Sequence, residues 1–317
     1  MNKKARIFVG VILLALSLCL AACEWRPADE EDLDTSITDS VEAEPEIVGG
    51  FTFTKENWPA VGGSLALLPL AEAVTAAALD IPREEAGTLV QLENSTTWNY
   101  EQLVDGNFDL LLAYEPSQEA LDYAEEAGFE WEMQPIGRDA LVFIANIDNP
   151  VHELTTQQIT EIYTGKITNW SELGGNDSDI IPYQRNSDSG SQTLFDLFFP
   201  LGDELMTPPS EQIVGSMIGL LEVIADYDNS VDALGYTVYY YLTNMETDKL
   251  SRSQVLAVDG IEATNETIAS GEYPYTNDFY VVIPANLPDD DPARVLFNWI
   301  CSDQVKELAE RENYVML

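Results

Sequence analysis

Positive charge is scarce in this chain. Its 317 residues include 14 Lys and Arg against 56 Asp and Glu, which gives a formal net charge of -42 at pH 7. A chain this acidic repels phosphodiester backbones and anionic headgroups. Nucleic acid and anionic lipid surfaces are therefore not expected as partners.

The residue types of common catalytic and metal sites are also few. The chain has a single histidine, His152, and it contains no nucleophile-elbow, metal-ligand or Walker motif. A hydrolase triad would have to combine His152 with Asp188 and a neighbouring serine, whereas a lone histidine more often has a structural role. The sequence predicts a protein that is not an enzyme and needs neither metal nor cofactor, with a hydrolase as the less favoured alternative.

The amino terminus has the pattern of a secretory signal. Basic residues, the last of them Arg6, precede an apolar run from Ile7 to Leu20, which predicts a signal peptide over residues 1–22. The Leu20-Ala21-Ala22-Cys23 sequence resembles a bacterial lipobox, which implies cleavage before Cys23 and attachment of diacylglyceryl to its thiol. An uncleaved anchor helix is the alternative, although its apolar run is shorter than the roughly 20 residues that span a bilayer. Both interpretations place the rest of the chain outside the cytoplasm.

The three cysteines leave no pair for an intrachain disulfide. Cys19 leaves with the signal, Cys23 carries the lipid, and Cys301 is expected to be a small buried residue in a helical pattern. Ten Asp and Glu between residues 24 and 48 predict a solvated acidic tether over residues 23–49. Residues 50–317 are long enough for a large domain or two lobes.

Strand and helix patterns alternate through this folded part. Thr155 to Gln158 form a capping box that opens a helix ending at Gly165. Helical patterns also lie at residues 69–78 and 100–104, and strand patterns lie at 60–64, 89–92, 108–113 and 141–145. The alternation predicts an α/β protein with a mainly parallel sheet, whose ligands bind at the carboxyl ends of the strands.

One of the rare cations stands beside a hydroxyl-rich turn. Arg185 lies four residues before Ser189, which begins the sequence Ser189-Gly190-Ser191, and an apolar helical pattern follows. A guanidinium fork, two hydroxyls and the free amides of a helix N-terminus are the donors that a tetrahedral oxyanion requires. The segment predicts an oxyanion site. The alternative is that Ser189 is only a helix N-cap and Arg185 only a surface cation.

Several stretches together carry a family resemblance. The Gly165-Lys166-Ile167-Thr168-Asn169-Trp170 stretch, with Asn149-Pro150-Val151 and Leu154-Thr155 before it, resembles the phosphate-binding proteins of bacterial phosphate ABC importers, which are substrate-binding lipoproteins. Later landmarks are similar, at residues 233–236, 271–275 and 292–315. The resemblance covers residues 58–317. It implies a type II periplasmic-binding-protein fold of two α/β lobes, each a mainly parallel sheet flanked by helices, with the ligand in the cleft between them.

The resemblance also implies where the lobes lie. Lobe one is expected at residues 50–146 and 250–317, and lobe two at 147–249, with hinges near residues 145–149 and 240–249. Closure would bring the Arg185 segment and donors of lobe one onto the same anion. A ligand that contacts both lobes stabilises the closed state, which is a signal that a permease can read.

The resemblance implies a set of ligand residues from both lobes. Arg185 and Ser189-Gly190-Ser191 match the family's arginine and Ser-Gly-Thr donors, with serine for threonine at position 191. Thr96 matches a ligand serine, and its neighbour Thr97 is a reserve donor.

A threonine hydroxyl of the family is missing at the start of the first helix. Leu65 stands at its position, so the backbone N–H groups of Leu65 and Ala66 are expected to serve, unless Ser64 replaces the lost hydroxyl.

The family's anion-facing aspartate, which accepts the proton of hydrogen phosphate, aligns with Tyr114 or Glu115. Glu115 is the candidate for this role, because a carboxylate there would reject sulfate, an anion with no proton to offer. The alternative is a solvated acid at a helix start. Asp188 is expected to orient Arg185 or the turn, and Asp109 to be a buried structural acceptor.

These residues predict a monomeric lipoprotein on the outer face of the cytoplasmic membrane. It would bind inorganic phosphate or a similar tetrahedral oxyanion and deliver it to the permease subunits of an ABC importer. A lipid-anchored anion sensor or adhesion module without a transport role is the alternative, and a phosphate-ester hydrolase is less favoured.

Overall fold

The computed structural model describes residues 50–93, 95–226 and 230–317. The predicted signal peptide, Cys23 and the acidic tether lie outside these ranges. Within them, no single helix is long and apolar enough to cross a membrane. One pair of helical segments, Leu65–Leu79 and Arg83–Leu89, passes that test only when combined across a bend of 111°.

The described ranges contain strands of 2 to 16 residues. Their bounds are β1 (Val61–Ser64), β2 (Val90–Glu93), β3 (Leu110–Ala113), β4 (Trp131–Asn146), β5 (Glu153–Leu154), β6 (Ile181–Pro182), β7 (Gln184–Arg185), β8 (Ile213–Val214), β9 (Ala233–Val238), β10 (Ser253–Val255), β11 (Ala257–Val258), β12 (Thr276–Pro284) and β13 (Val315–Met316).

Helices alternate with these strands, as the sequence predicts. The α-helices are α1 (Leu68–Leu79), α2 (Arg83–Ala86), α3 (Thr96–Val104), α4 (Gln118–Ala127), α5 (Thr156–Tyr163), α6 (Gly190–Phe198), α7 (Met217–Asp226), α8 (Thr247–Leu250), α9 (Asn265–Ser270), α10 (Pro292–Ile300) and α11 (Asp303–Arg311). Short 3-10 turns lie between them, and a π-helical segment spans Tyr241–Met245.

A mixed sheet joins the larger strands in the order β2-β1-β3-β12-β4-β9-β6, so the prediction of a mainly parallel sheet is wrong in this respect. Strand β1 is parallel to β2 and β3, whereas β12 is antiparallel to both β3 and β4. Strand β9 is antiparallel to β4 and parallel to β6. The carboxyl ends of β1 and β3 therefore meet at one edge, where parallel α/β sheets bind ligands.

Strand β3 has no polar face. Leu110 and Leu112 belong to the main core, while Leu111 and Ala113 belong to a second cluster with Tyr100. Alternate side chains of a strand point to opposite faces, so both faces of β3 are covered. This burial explains the uninterrupted apolar sequence of the strand.

Strand β4 connects two halves of the sheet. Its first part, Trp131–Ala140, pairs with β12, and its last part pairs with β9 and β10. Tyr275, just before β12, packs against Phe143 and Phe199 in the second half. The lobe limits expected at residues 146/147 and 249/250 stay a prediction. The strand pairing favours limits near Ala140 and Tyr275 instead, because residues 141–145 pair with β9 and residues 144–146 pair with 253–255.

Aromatic rings fix helix α6 against the second half of the sheet. Phe195 of α6 stacks on Tyr236 of β9 at 4.7 Å and meets Tyr163 of α5 at 4.8 Å between ring centroids. Phe143 of β4 touches the same group. Offset and edge-on contacts of this kind stabilise a core beyond simple burial. They hold the N-terminus of α6 in place.

The local signals of the sequence have mixed outcomes. The capping box is present, since Gln158 N–H donates to Thr155 and the Gln158 side chain accepts from the Thr155 N–H. Helix α3 begins at Thr96, four residues before the predicted helical pattern, because the Ser95 side chain caps it. The prediction that Cys301 is buried is wrong: it follows the last turn of α10 and is exposed.

Candidate anion-binding site

Arg185 is a buried cation with an unused donor. Its side chain is 3% exposed; its Nε donates to the Val214 carbonyl at 2.8 Å and its Nη1 donates to Ser191 Oγ at 3.2 Å. Nη2 is buried and has no hydrogen-bond partner among the described residues. Burial lowers the Arg185 pKa to about 10, so the group stays charged at neutral pH. A buried charge in this condition favours an anionic partner.

Helix α6 begins beside this guanidinium. Ser189 is its N-cap and accepts from the Gln192 N–H at 3.2 Å, so the capping role expected as the alternative is present. Gly190 and Ser191 occupy the first turn, where backbone N–H groups have no acceptor within the helix. The N-terminal end of the helix dipole therefore adds to the charge of Arg185.

The opposite wall carries two hydroxyls. Ser64 ends β1 and Thr96 opens α3, and their side-chain oxygens lie 3.2 Å apart in a buried contact. Gly63, at a φ of 149°, precedes Ser64, and a Cβ there would lie 1.9 Å from the Leu112 carbonyl. Only glycine allows β1 to approach β3 this closely, so Gly63 sets the position of Ser64.

The two walls touch each other directly. The Asp188 carbonyl accepts from Ser95 Oγ at 3.2 Å and from the Thr97 N–H at 3.4 Å. A Cβ on Gly190 would lie 2.5 Å from Thr96 Oγ1. The start of α6 therefore meets the start of α3 with no room for a side chain, which encloses the space between Arg185 and Ser64.

Ten residues line this enclosed pocket: Ser64, Leu65, Ala66, Thr96, Tyr114, Arg185, Gly190, Ser191, Met217 and Val238. Seven of them are predicted ligand residues, while Thr97, Glu115 and Ser189 are not in the lining. The structure adds Tyr114, Met217 and Val238. The resemblance implies Tyr114 or Glu115 at the position of the family's aspartate, whereas nothing in the sequence pattern points to Met217 or Val238.

Glu115 faces away from this pocket. Its Oε1 accepts from the Tyr280 hydroxyl at 3.0 Å, and its buried Oε2 has no hydrogen-bond partner among the described residues. It lines a neighbouring pocket together with residues of α4 and α6. Burial raises the Glu115 pKa from 4.5 to about 7. The contact of Glu115 with the anion stays a prediction that this geometry does not favour, because the carboxylate is directed into a different cleft.

Two other expected roles concern Thr97 and Asp188. Thr97 Oγ1 lies 2.7 Å from Ser117 Oγ in a buried pair in which either hydroxyl can donate, so its role as a reserve donor stays a prediction. The Asp188 carboxylate accepts from the Asn186 side chain instead of Arg185. Asp188 thus shapes the turn, which is one of the two roles expected for it. Asp109 accepts from the Ala60 N–H at 2.8 Å, so it is a structural acceptor, but the prediction that it is buried is wrong because its side chain is exposed.

Comparison with known proteins gives the family. A family model described as a PBP superfamily domain matches residues 62–304. The chain belongs to the PBP superfamily. The phosphate-binding protein PstS of Bacillus subtilis is 29% identical over 275 residues, which are 86% of this chain and 81% of that protein.

Solved structures agree with the fold. A phosphate ABC transporter substrate-binding protein from Clostridium perfringens, solved with bound phosphate, has a TM-score of 0.65 and 24% identity; the match covers 82% of this chain and 100% of that one. An ABC-type phosphate transport receptor from Vibrio cholerae has a TM-score of 0.61 and 20% identity over 82% of this chain and 100% of that one. The predicted two-lobe α/β fold and the prediction of a binding protein, not an enzyme, are confirmed.

Tyr114 lines this pocket, and its hydroxyl is bonded within the protein. Its hydroxyl donates to Asp139 Oδ2 at 2.7 Å, while Asp139 Oδ1 accepts from the backbone N–H groups of Ala140 at 2.8 Å and Tyr240 at 3.0 Å. Burial raises the Asp139 pKa to about 6. The Tyr114 hydroxyl proton is thus committed to a buried carboxylate on β4, at the point where that strand changes partners.

The residues of the hydrolase alternative are not assembled. His152 is exposed and its Nδ1 contacts Gln254 Oε1, whereas the Asp188 carboxylate accepts from the Asn186 side chain. In the described ranges, no group of three or more His, Cys, Asp and Glu is placed to hold a metal ion. The pocket beside Arg185 therefore offers hydrogen-bond donors and one positive charge, and it offers no nucleophile paired with a base.

Proposed function

We propose that this protein binds inorganic phosphate, or a closely similar tetrahedral oxyanion, and delivers it to the permease of an ABC importer. The observation that carries the proposal is the Arg185 guanidinium, which is buried, charged and left with a free Nη2 in an enclosed pocket. An oxyanion that accepts from Nη2 satisfies this donor and neutralises the charge at once.

The rest of the pocket suits a small anion with several oxygens. Ser191 and the amide of Gly190 lie on one side, and the hydroxyls of Ser64 and Thr96 lie on the other. A tetrahedral anion presents oxygens in all directions, so donors on both walls can bind it together. This arrangement supports binding between two lobes, in which the anion holds the walls closed.

Delivery to a permease is supported by the relatives. The protein from Bacillus subtilis is named a phosphate-binding protein, and those from Clostridium perfringens and Vibrio cholerae are described as phosphate transport components. The pocket residues named above are proposed as the ligand set, with Leu65 and Ala66 contributing backbone N–H groups.

We also propose that the chain is held at the outer face of the cytoplasmic membrane by a lipid on Cys23. The signal pattern over residues 1–22 and the lipobox resemblance support this location. Replacement of Cys23 by alanine should release the protein from the membrane fraction into the soluble fraction. Unchanged membrane retention of the Cys23→Ala protein would contradict lipid anchoring at this residue.

Calorimetric titration of the purified protein with phosphate tests the function. We expect one phosphate per chain and a stoichiometry that does not change with pH. Heat that never saturates, or saturates only with a different class of ligand, would contradict phosphate binding. Turnover of a phosphate ester that Ser189→Ala abolishes would instead support the hydrolase alternative.

A further inference from the structure

Two tyrosines from different halves of the sheet stack on each other. Tyr240 follows β9, which pairs with the last part of β4, and Tyr314 precedes β13, which pairs with the first part of β4. Their ring centroids are 3.8 Å apart, and the ring planes differ by 8°. Both side chains are buried. This tyrosine pair therefore joins the two halves of the sheet through a buried aromatic contact.

The hydroxyl of Tyr314 contacts a residue of the anion pocket. It donates to the carbonyl of Ala66, a lining residue, at 2.7 Å. Three positions after Ala66 stands Pro69, which has no N–H and cannot donate to this carbonyl in a 3-10 turn. The Tyr314 hydroxyl supplies a donor there. It therefore helps to fix the 3-10 turn Leu65–Leu67, which carries two of the backbone N–H groups proposed as ligands of the anion.

Tyr240 is connected to a second residue of the pocket through its backbone. Its N–H donates to Asp139 Oδ1 at 3.0 Å, and Asp139 Oδ2 accepts from the hydroxyl of Tyr114, a lining residue, at 2.7 Å. The Tyr240 hydroxyl donates to the Glu312 carbonyl at 2.8 Å, two residues before Tyr314. The tyrosine pair is thus connected to the pocket lining at two separate points.

Packing alone does not require a hydroxyl at position 314. A phenylalanine would fill the same space and stack on Tyr240, but it would remove the donor to the Ala66 carbonyl. A buried carbonyl that loses its donor is costly, and a short turn can relieve that cost by changing its orientation. The hydroxyl therefore affects the geometry of the pocket, whereas the ring affects the core.

We propose that Tyr314 is a positioning residue for anion binding. Its hydroxyl holds the Leu65–Leu67 turn in the orientation that binds the anion, and its ring ties this turn to Tyr240 in the other half of the sheet. The inference rests on the proposed function, since it concerns the same site. Its consequence is that anion binding is linked, through the tyrosine pair, to the relative position of the two halves.

Tyr314→Phe and Tyr273→Phe in the full-length protein form a matched pair for calorimetry with phosphate. Tyr273 is also buried, and its hydroxyl donates to the Leu141 carbonyl at 3.3 Å, with neither residue in the pocket lining. Each variant loses a buried hydroxyl that donates to a backbone carbonyl, so similar losses of stability are expected in urea unfolding. Phosphate affinity should fall about tenfold in Tyr314→Phe and stay within about twofold in Tyr273→Phe.

The outcomes of this pair separate the inference from the proposed function. Equal phosphate affinities in the two variants would overturn the inference and leave the proposed function standing. Absence of phosphate binding in the unaltered protein would overturn the proposed function itself.

Hydrogen exchange of backbone amides distinguishes positioning from a general loss of stability. Saturating phosphate should slow exchange at Leu65 and Ala66 in the unaltered protein and in Tyr273→Phe. In Tyr314→Phe this protection should be smaller, because the turn is no longer held in the binding orientation. Full protection at Leu65 and Ala66 in Tyr314→Phe would contradict a positioning role.

A double-mutant cycle tests the connection to Tyr240. Tyr240→Leu removes the ring stack, and we expect it to weaken phosphate binding about fivefold. Combined with Tyr314→Phe, the loss should be smaller than the product of the two single losses by at least about threefold, because both changes disturb the same contact. Losses that simply multiply would show that the two tyrosines act independently, which contradicts the proposed connection.

Discussion

Two neighbouring pockets share helix α6 but hold buried charges of opposite sign. One contains Arg185 and is free of acids; the other contains Glu115, Glu119 and Asp196 and is free of Lys and Arg. The buried charge in each lacks a full set of partners, since both Arg185 Nη2 and Glu115 Oε2 are without a hydrogen bond in the described residues. The pockets differ in how the buried charge can be neutralised.

Protonation relieves Glu115, whereas only an anion relieves Arg185. The Glu115 pKa is about 7, so a proton from solvent neutralises it near neutral pH. Arg185 keeps a pKa of about 10 and remains charged under the same conditions. The comparison teaches that a strongly perturbed acid in a cleft is not by itself a ligand site. A buried cation that stays ionised at neutral pH, such as Arg185, is the better indicator of an anion-binding site.

Removal of the Arg185 charge should cause the largest loss of phosphate affinity, because this charge distinguishes the Arg185 pocket from the Glu115 pocket. Arg185→Ala deletes the fork and the only lining cation, and we expect phosphate affinity to fall at least about 100-fold, which corresponds to roughly 3 kcal/mol. Calorimetry measures it. Arg294→Ala is the matched control, because Arg294 pairs with Glu132 outside the pocket lining and its loss should leave affinity within about twofold. Equal losses in both proteins would indicate a general charge effect.

A change that holds the two walls apart should cause the next largest loss of phosphate affinity. A methyl group at position 190 would lie 2.5 Å from Thr96 Oγ1, so Gly190→Ala should hold the walls apart and weaken phosphate binding about tenfold. Gly215→Ala is the control, since a Cβ there has nothing within 4 Å and the residue is outside the pocket. Unchanged affinity in Gly190→Ala would mean that contact between α3 and α6 is not needed for binding.

Glu115 should affect stability and not binding. Its folded-state pKa of about 7 is raised above the ordinary 4.5, so its contribution to stability is present below about pH 4.5 and is lost as the pH rises through 7. Glu115→Gln removes this titration. We expect the Gln protein to be more stable at about pH 8, by at most about 3 kcal/mol, with phosphate affinity unchanged.

Urea unfolding at about pH 5 and about pH 8 measures the effect of Glu115→Gln. The difference in unfolding free energy between the two proteins should be larger at the higher pH. A difference independent of pH, or a loss of phosphate binding in Glu115→Gln, would return Glu115 to the candidate ligand set.

Salt concentration should have the smallest of these effects, and it should act on the rate of phosphate association. The net charge of -42 repels an approaching anion over distances longer than the pocket, so added salt should raise the association rate a few-fold as it screens that field. Stopped-flow mixing with phosphate at low and physiological salt gives the rate. A rate that falls with salt would show that the local potential of Arg185 outweighs the global field.

The sequence predicted features that depend on residues close together in the chain. The capping box at Thr155, the stop near Gly165 and the apolar strand before Tyr114 depend on residues close together in the chain, and all are present. The Arg185 segment and the Ser64 and Thr96 hydroxyls are likewise brought together at the carboxyl ends of parallel strands. Their roles as phosphate ligands stay a prediction.

The sequence did not predict features that depend on the direction of a side chain or on pairing between strands that are distant in the chain. Tyr114 and Glu115 are consecutive beyond β3, and neighbouring side chains of an extended chain point to opposite sides, so an alignment uncertain by one residue cannot choose between them. Thr97 turns toward Ser117 because it is one helical position past Thr96. The change of partners along β4 is set by β9 and β12, which are distant in sequence.

A crystal structure of the protein with arsenate, a tetrahedral oxyanion that is located by its anomalous scattering, tests the central claim most directly. The account predicts one strong arsenic peak between the two walls, with oxygens within about 3 Å of the Arg185 guanidinium and of the Ser64 or Thr96 hydroxyl. A peak in the Glu115 pocket, or one that leaves Arg185 Nη2 without a contact, would contradict it.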